Sequence, residues 1–238
     1  YKESANKGII YRLLQGLLDM NFYYNFKGIL KNNSRVLDIG CGSGVLLEKI
    51  RQNGINDITG IDFSKKSIEI VKSKGINCFH GLFEDYKCSK GYDLIVMNNY
   101  IEHTTNPRIE LQKAFSMLNT DGVIYGEIPC FDSWERKIFR RYWGGNHVPR
   151  HTFQFDQLFF IQLLTNVGFK KIKIKHQLNT AHIAISIQNI CNNMVGERLK
   201  LNHGRVSWFN FLLLFLIPFN IIPVLLKKSG VIKFTASK

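Results

Sequence analysis

The chain has little of several things. Its 238 residues carry 18 acidic side chains against 32 Lys and Arg, with only five prolines and five cysteines. Cys41, Cys78, Cys88, Cys130 and Cys191 are odd in number and scattered, and no C-x-x-C pair occurs. That argues against a disulfide framework or a zinc site and fits a reducing compartment; no metal is expected. Residues 1–30 hold no unbroken apolar run followed by a small-residue cleavage site, so no secretory signal is expected. No internal repeat is visible.

What is present points to a globular domain. Hydrophobic residues make up 45% of the chain, enough for a core in one α/β domain with insertions. The net charge of +14 suits nucleic acid, anionic lipid or phosphorylated substrates. A Lys-, Asn- and Ile-rich composition alone would also produce it, because the lysines are spread rather than clustered.

Residues 1–33 read as an N-terminal helical cap, amphipathic over 4–30 with Ile9, Ile10, Leu13, Leu14, Leu17 and Leu18 at helical spacing. Strands are predicted at Arg35–Ile39, Asn56–Asp62, Asn77–His80, Tyr92–Asn98 and Val123–Ile128. Between them, a helix starts near Gly44 with Val45, Leu46, Leu47 and Ile50 on its apolar face. Another follows Ser64, a plausible N-cap, and a third runs from Pro107 to near Leu118. Asn119–Gly122 is read as a turn. This alternation means βαβ units and a parallel sheet. Beyond Pro129 come an aromatic, Arg- and His-rich segment at 131–153, a helix over Asp156–Val167, a strand at Phe169–Lys175, a helical stripe of Ile183, Ile187, Ile190 and Met194, and a last strand at Val231–Ala236.

The run Val36-Leu37-Asp38-Ile39-Gly40-Cys41-Gly42-Ser43-Gly44 leads a buried strand into a glycine-rich turn. Without Cβ atoms the turn lets a ligand approach the backbone, at the carboxyl end of a parallel strand where open α/β sheets bind ligands. A dinucleotide loop wants G-x-G-x-x-G, but its third glycine would fall on Val45. No Lys follows the last glycine, so the loop is not a P-loop either. Asp62, about twenty residues on at the end of the second strand, is placed to accept hydrogen bonds from ribose hydroxyls.

Asp38–Gly44 followed by Gly60-Ile61-Asp62 resembles the class I S-adenosylmethionine-dependent methyltransferases. Tyr92–His103 matches that family's fourth strand and following loop. Leu118–Ile124 is similar to its L-x-P-G-G turn, with Thr120-Asp121 in place of Pro-Gly. Pro129, Ser133, Trp143 and Asn146–Phe155 look like a W…D-x-P-R-H-x-x-x-F subgroup, with Asn146 or His147 replacing the acidic residue. Over nearly its whole length the chain resembles the ubiquinone-methyltransferase-like group (methyltransferase types 11, 12 and 23).

The resemblance implies a Rossmann-like three-layer α/β sandwich, with a mostly parallel seven-stranded sheet and an antiparallel last strand. It implies S-adenosylmethionine as cofactor. The loop Gly40, Cys41 and Gly42 would lie against its methionine portion, Asp38 would orient the loop and the amino group, and Asp62 would hold the ribose. Phe63 would either wall the adenine or join the core. Glu84 would meet the adenine amino group or stand as a solvated loop acid, and Asn98 would flank the cofactor from the fourth strand. His103 and then His151 are the candidate general bases, near neutral pKa as hydroxyl methylation favours. Trp143, His147 and Arg150 are the candidate substrate contacts. Residues 34–128 would be the cofactor core and 129–155 the substrate side. The acceptor is expected to be a small molecule, a glycan or a lipid-linked intermediate, methylated on oxygen. The rivals are an RNA methyltransferase, disfavoured by the lack of an N-P-P-[YF] motif after the fourth strand, and a non-catalytic binding module.

Val206–Leu226 is uncharged for 21 residues, fifteen of them Val, Leu, Ile or Phe. On an insertion scale these sum to roughly −4 to −9 kcal/mol, but Pro218, Pro223, Asn210 and Asn220 interrupt the run. Crossing a bilayer there would also carry the last strand away from its sheet. Residues 177–229 are therefore read as an apolar helical insertion broken near Pro218, flanked by Arg198, Lys200, Arg205, Lys227 and Lys228. It would contact an anionic membrane surface from the cytoplasmic side, or pack on the domain or in a dimer interface.

Overall fold

The computed structural model describes residues 26, 28–195, 201–202, 205–206 and 215–238. The N-terminal cap expected over residues 1–33 falls outside these except for its end. There Phe26 is buried edge-on against Tyr125, with ring centroids 4.6 Å apart.

The first half repeats strand and helix: β1 (Arg35–Ile39), α1 (Val45–Gln52), β2 (Asp57–Asp62), α2 (Lys65–Ser73), β3 (Asn77–His80), β4 (Tyr92–Asn98), α3 (Pro107–Met117) and β5 (Leu118–Pro129). Then follow α4 (Trp134–Phe139), α5 (Gln157–Val167), β6 (Lys170–His176), α6 (Thr180–Val195), a small hairpin of β7 (Leu201–Asn202) and β8 (Arg205–Val206), α7 (Ile217–Leu225) and β9 (Val231–Ser237). Seven strands form one sheet in the order β3-β2-β1-β4-β5-β9-β6. Only β9 runs antiparallel to its neighbours, lying between β5 and β6. The sheet order reverses between β1 and β4, so ligands are expected outside the carboxyl ends of these strands.

Local chemistry sets the element ends. Ser64 accepts a hydrogen bond from the Ser67 amide at the start of α2. Asn106 caps α3, whose first turn carries Pro107. Asp156 caps α5, and Gly168 closes it in the left-handed conformation.

The central strands are buried on both faces, which is why β1 and β4 read as apolar runs. Along β1 the side chains alternate between two cores: Leu37 and Ile39 join Ile95, Met97, Leu111, Phe160 and Leu164 on one side, while Val36 joins Leu47, Ile50, Ile68 and Val71 on the other. α3 and α5 thus cover one face and α1 and α2 the other, giving three layers. A smaller cluster of Ile183, Ala184 and Leu216 packs with Phe139 and joins α4, α6 and the start of α7.

Four expectations are corrected. Val45 stands 52% exposed rather than on the apolar face of α1; Leu47 and Ile50 make that contact instead. Leu118 already pairs with Tyr92, and the next β4–β5 pair is Leu94 with Val123. Asn119–Gly122 is therefore a bulge inside β5 rather than a turn before it, with Asp121 at φ 64°. Met194 is 78% exposed, so the buried stripe of α6 stops short of it. Near the expected break, Pro218 sits in the first turn of α7, where its missing N–H costs no helical bond, and Pro223 lies within the helix. Residues 207–214 of the uncharged run lie outside the described residues. Among the described residues no helix is long and apolar enough to cross a membrane.

Candidate active site

The glycine loop is held by the end of β2. The amides of Gly40 and Cys41 both donate to the Ile61 carbonyl, at 2.8 and 3.0 Å. Asp62 accepts from the Gly42 amide with one carboxylate oxygen (2.9 Å) and from the Ser64 amide with the other (2.8 Å). One side chain thus fixes the loop, its own strand end and the entry to α2. The approach is close because Gly60 has no side chain: a Cβ there would lie 2.7 Å from the Cys41 sulfur and 2.9 Å from Leu47. Gly40 turns the chain at φ 74°, with the Tyr100 ring 3.0 Å from where its Cβ would stand. Behind the loop Asp38 is buried; that burial, helped by the nearby Asp62 charge, pushes its carboxyl up to about 8.

In front of the loop lies a cavity of about 780 Å³, within the range of small-molecule sites. Asp62, Phe63, Leu82, Glu84, Tyr100, His103, Thr104, Glu110 and Arg150 are among the residues that line it. Phe63 is 75% exposed, which settles the choice left open above: it is not core. The Tyr100 hydroxyl donates to Glu110 at 3.3 Å. Burial, and secondarily the Glu84 charge, hold the Glu110 carboxyl above its ordinary range, against the lowering effect of that hydrogen bond. Three carboxylates therefore face one cavity in a chain of net charge +14.

The far end is built where the turn after β4 meets the segment after β5. The Glu102 carbonyl accepts from the Thr152 and Phe153 amides, at 2.9 and 3.1 Å, and the Thr152 hydroxyl donates to the Thr104 carbonyl at 2.7 Å. These bonds bring His103 and His151 together, with ring centroids 4.7 Å apart, and His147 lies 5.0 Å beyond His151. His103 Nδ1 is 2.9 Å from the Arg150 carbonyl, and His151 Nδ1 is 2.9 Å from the Gly145 carbonyl. A carbonyl only accepts, so each Nδ1 carries a proton, and the neutral form of each ring has its lone pair on Nε2. Burial pushes His151 down to about 4, with His103 and His147 acting in the same direction against the Gly145 bond. Burial, then Arg150 and His103, lower His147 as well.

Below them Glu102 is 1% exposed, and neither of its carboxylate oxygens has a partner among the described residues. Burial pushes it up to about 8. Glu102, His103 and His151 each bring one ligand-type atom within 4.8 Å of the others, a spacing that could bridge a metal ion.

A family model described as "Methyltransferase domain" matches residues 10–174. The chain belongs to the methyltransferase-domain family. A ubiquinone biosynthesis O-methyltransferase of Bordetella avium is 29% identical over 101 residues, covering 38% of this chain and 41% of that protein. The enzyme of the same name from Histophilus somni is 22% identical over 192 residues, 74% of this chain and 72% of that one. The match thus spans about two-fifths of the first relative and nearly three-quarters of the second. A SAM-dependent methyltransferase from Archaeoglobus fulgidus has the same fold, with a TM-score of 0.62 at 20% identity over 94% of each chain.

The cofactor that goes with this methyltransferase is S-adenosylmethionine, and the cavity suits it. The acidic wall of Asp62, Glu84 and Glu110 favours a cationic sulfonium and ammonium and disfavours a pyrophosphate. Phe63 and Leu82 offer exposed apolar surface for a flat base.

Of the residues singled out from sequence, Gly40, Asp62, Phe63, Glu84, His103 and Arg150 line the cavity. Asp38, Cys41, Gly42 and Asn98 do not; they stand behind or beside the loop. The Cys41 thiol packs against Gly60, and the buried Asn98 Oδ1 has no partner among the described residues. Asn99, with φ 47°, takes the lining place expected of Asn98, because the chain leaves β4 there. His147 and His151 adjoin His103 without lining the cavity. Trp143 is 1% exposed, packed by Gly145 and His182, so the structure places it in the interior rather than at the cavity. The sequence does not single out Tyr100, Glu102 or Glu110 as site residues; the adjacency of Glu102 to His103 is the one signal that points to any of them.

Proposed function

We propose that this methyltransferase transfers the cofactor's methyl group to an oxygen of a small organic acceptor, with His103 as general base. The observation that carries the reading is one cavity lined both by Asp62, Phe63 and Glu84, which suit the cofactor, and by His103 and Arg150, which suit an acceptor hydroxyl and its anionic group. S-adenosylmethionine, when bound, supplies a methyl group already activated on a sulfonium. The protein's part is alignment, which supplies up to roughly 7–11 kcal/mol of such a barrier, and proton removal. His103 can take a hydroxyl proton at Nε2, since the Arg150 carbonyl fixes its tautomer. Arg150 is exposed, and among the described residues no acidic side chain pairs with its guanidinium. It is free to hold a carboxylate or phosphate of the acceptor. The names of the ubiquinone-biosynthesis relatives support a hydroxyl acceptor.

The test uses methyl-labelled S-adenosylmethionine with a small-molecule extract of the source cells. Label is expected in low-mass products. His103→Ala should lower the rate about 10²–10⁴-fold, with the cofactor Kd by titration calorimetry unchanged. Label appearing in RNA, or an undiminished rate in His103→Ala, would overturn the reading.

A further inference from the structure

Helix α7 is built with its polar residue inside. Leu216, Asn220 and Pro223 face the protein, and Asn220 is fully buried. Its Oδ1 accepts the Asn179 amide proton (2.7 Å), and its Nδ2 donates to Glu135 Oε1 (2.9 Å). The opposite stripe, at i, i+4, i+7 and i+11, is Phe215, Phe219, Ile222 and Leu226, each between 52 and 61% exposed. Leu225 beside it is 74% exposed. The Glu135–Asn220 bond and the Trp134 amide on the Lys228 carbonyl (2.9 Å) set α4 alongside, where Ile138 is 69% exposed. Soluble monomers rarely leave a contiguous apolar patch of this kind in water.

Among the described residues, the unpaired exposed charges of α4 and of the turns that flank α4 and α7 are basic. Lys137, Arg140, Arg141 and Lys227 are exposed, while Asp132 is paired with Lys228 at 2.8 Å and Glu135 is buried. A second copy docked on this face would bring like charges together. An anionic bilayer meets the apolar stripe and the basic rim at once. We propose that α7 and α4 form a peripheral docking surface for anionic phospholipid, with α7 lying in the headgroup plane. At nine residues α7 does not span, and the proposal is independent of the methyl acceptor.

The test is flotation of the full chain with vesicles of phosphatidylglycerol and phosphatidylcholine, against phosphatidylcholine alone. Flotation is expected with the anionic vesicles and should fall about tenfold without phosphatidylglycerol or in 0.5 M salt. Phe219→Glu/Ile222→Glu should abolish flotation while keeping the wild-type circular dichroism, and Lys137→Glu/Arg141→Glu should weaken it. Three results would overturn the proposal: no flotation of the wild type; a dimer by light scattering that Phe219→Glu/Ile222→Glu dissociates, without flotation; or unfolding of that variant while Lys137→Glu/Arg141→Glu floats normally, which would mean the stripe packs within the chain.

Discussion

Glu102 is a buried carboxyl with no hydrogen-bond partner for either oxygen among the described residues. Burial raises its pKa in the folded state from 4.5 to about 8. A raised folded pKa means that the folded protein binds this proton more tightly than the unfolded chain does. The stability linked to it is complete below about 4.5 and is lost as pH rises through about 8. His151 has the opposite sign: lowered to about 4, it contributes stability that is present above 6.5 and lost as pH falls through that lower value. Glu102→Gln keeps the shape and removes the first slope. Its melting temperature should rise relative to wild type as pH goes from 6 to 9, read by thermal denaturation across buffers; parallel curves for the two proteins would contradict the assignment.

At the scale of elements, Asn220 shows how one polar atom pair can position a helix. It joins the loop before α6 to α4 through a single buried amide. Asn220→Leu suits the surrounding sequence but would strand the Asn179 amide and the Glu135 carboxyl. A loss of about 1–3 kcal/mol per stranded group is expected, measurable by urea denaturation.

Legibility also divides by element. β1, β3 and β4 are legible to the residue, because runs such as Leu94-Ile95-Val96-Met97 end at Gly, Asp or Asn. The β5 bulge is not, since Asn119-Thr120-Asp121-Gly122 has turn chemistry whether it precedes a strand or interrupts one. Of the cavity lining, Asp62 is legible from its place at the end of β2 and His103 from the loop that follows β4. The choice between Asn98 and Asn99 rests on one left-handed residue that no composition announces. Trp143 illustrates a general ambiguity: an aromatic in a loop reads equally as ligand wall or core. The role of Glu110 depends on α3 leaning over the cavity, which only the packing reveals.

For the whole molecule, the acidic cavity within a basic protein is the organising contrast. Because the loops after β1, β2, β3 and β4 all line it, a bound ligand holds four strand ends together. At about 100 times its Kd, S-adenosylmethionine should add about 2.7 kcal/mol of stability, which for a domain of this size is about 5–11 °C in Tm. Asp62→Ala should lose most of that shift, since the same carboxylate holds the Gly42 amide and faces the ligand. A full shift in Asp62→Ala would show that the loop binds without it.

The place of β9 between β5 and β6 has a consequence for how the chain comes off the ribosome. β6 touches the rest of the sheet only through β9, and β9 is made after α6 and α7. Until Val231–Ser237 emerge, β5 presents a bare edge and β6 has nothing to pair with. The cofactor half can assemble from nearby contacts, but closure of the sheet waits for a late, long-range insertion. Synthesis order thus divides the protein into an early half that carries the glycine loop and a late half that completes the sheet.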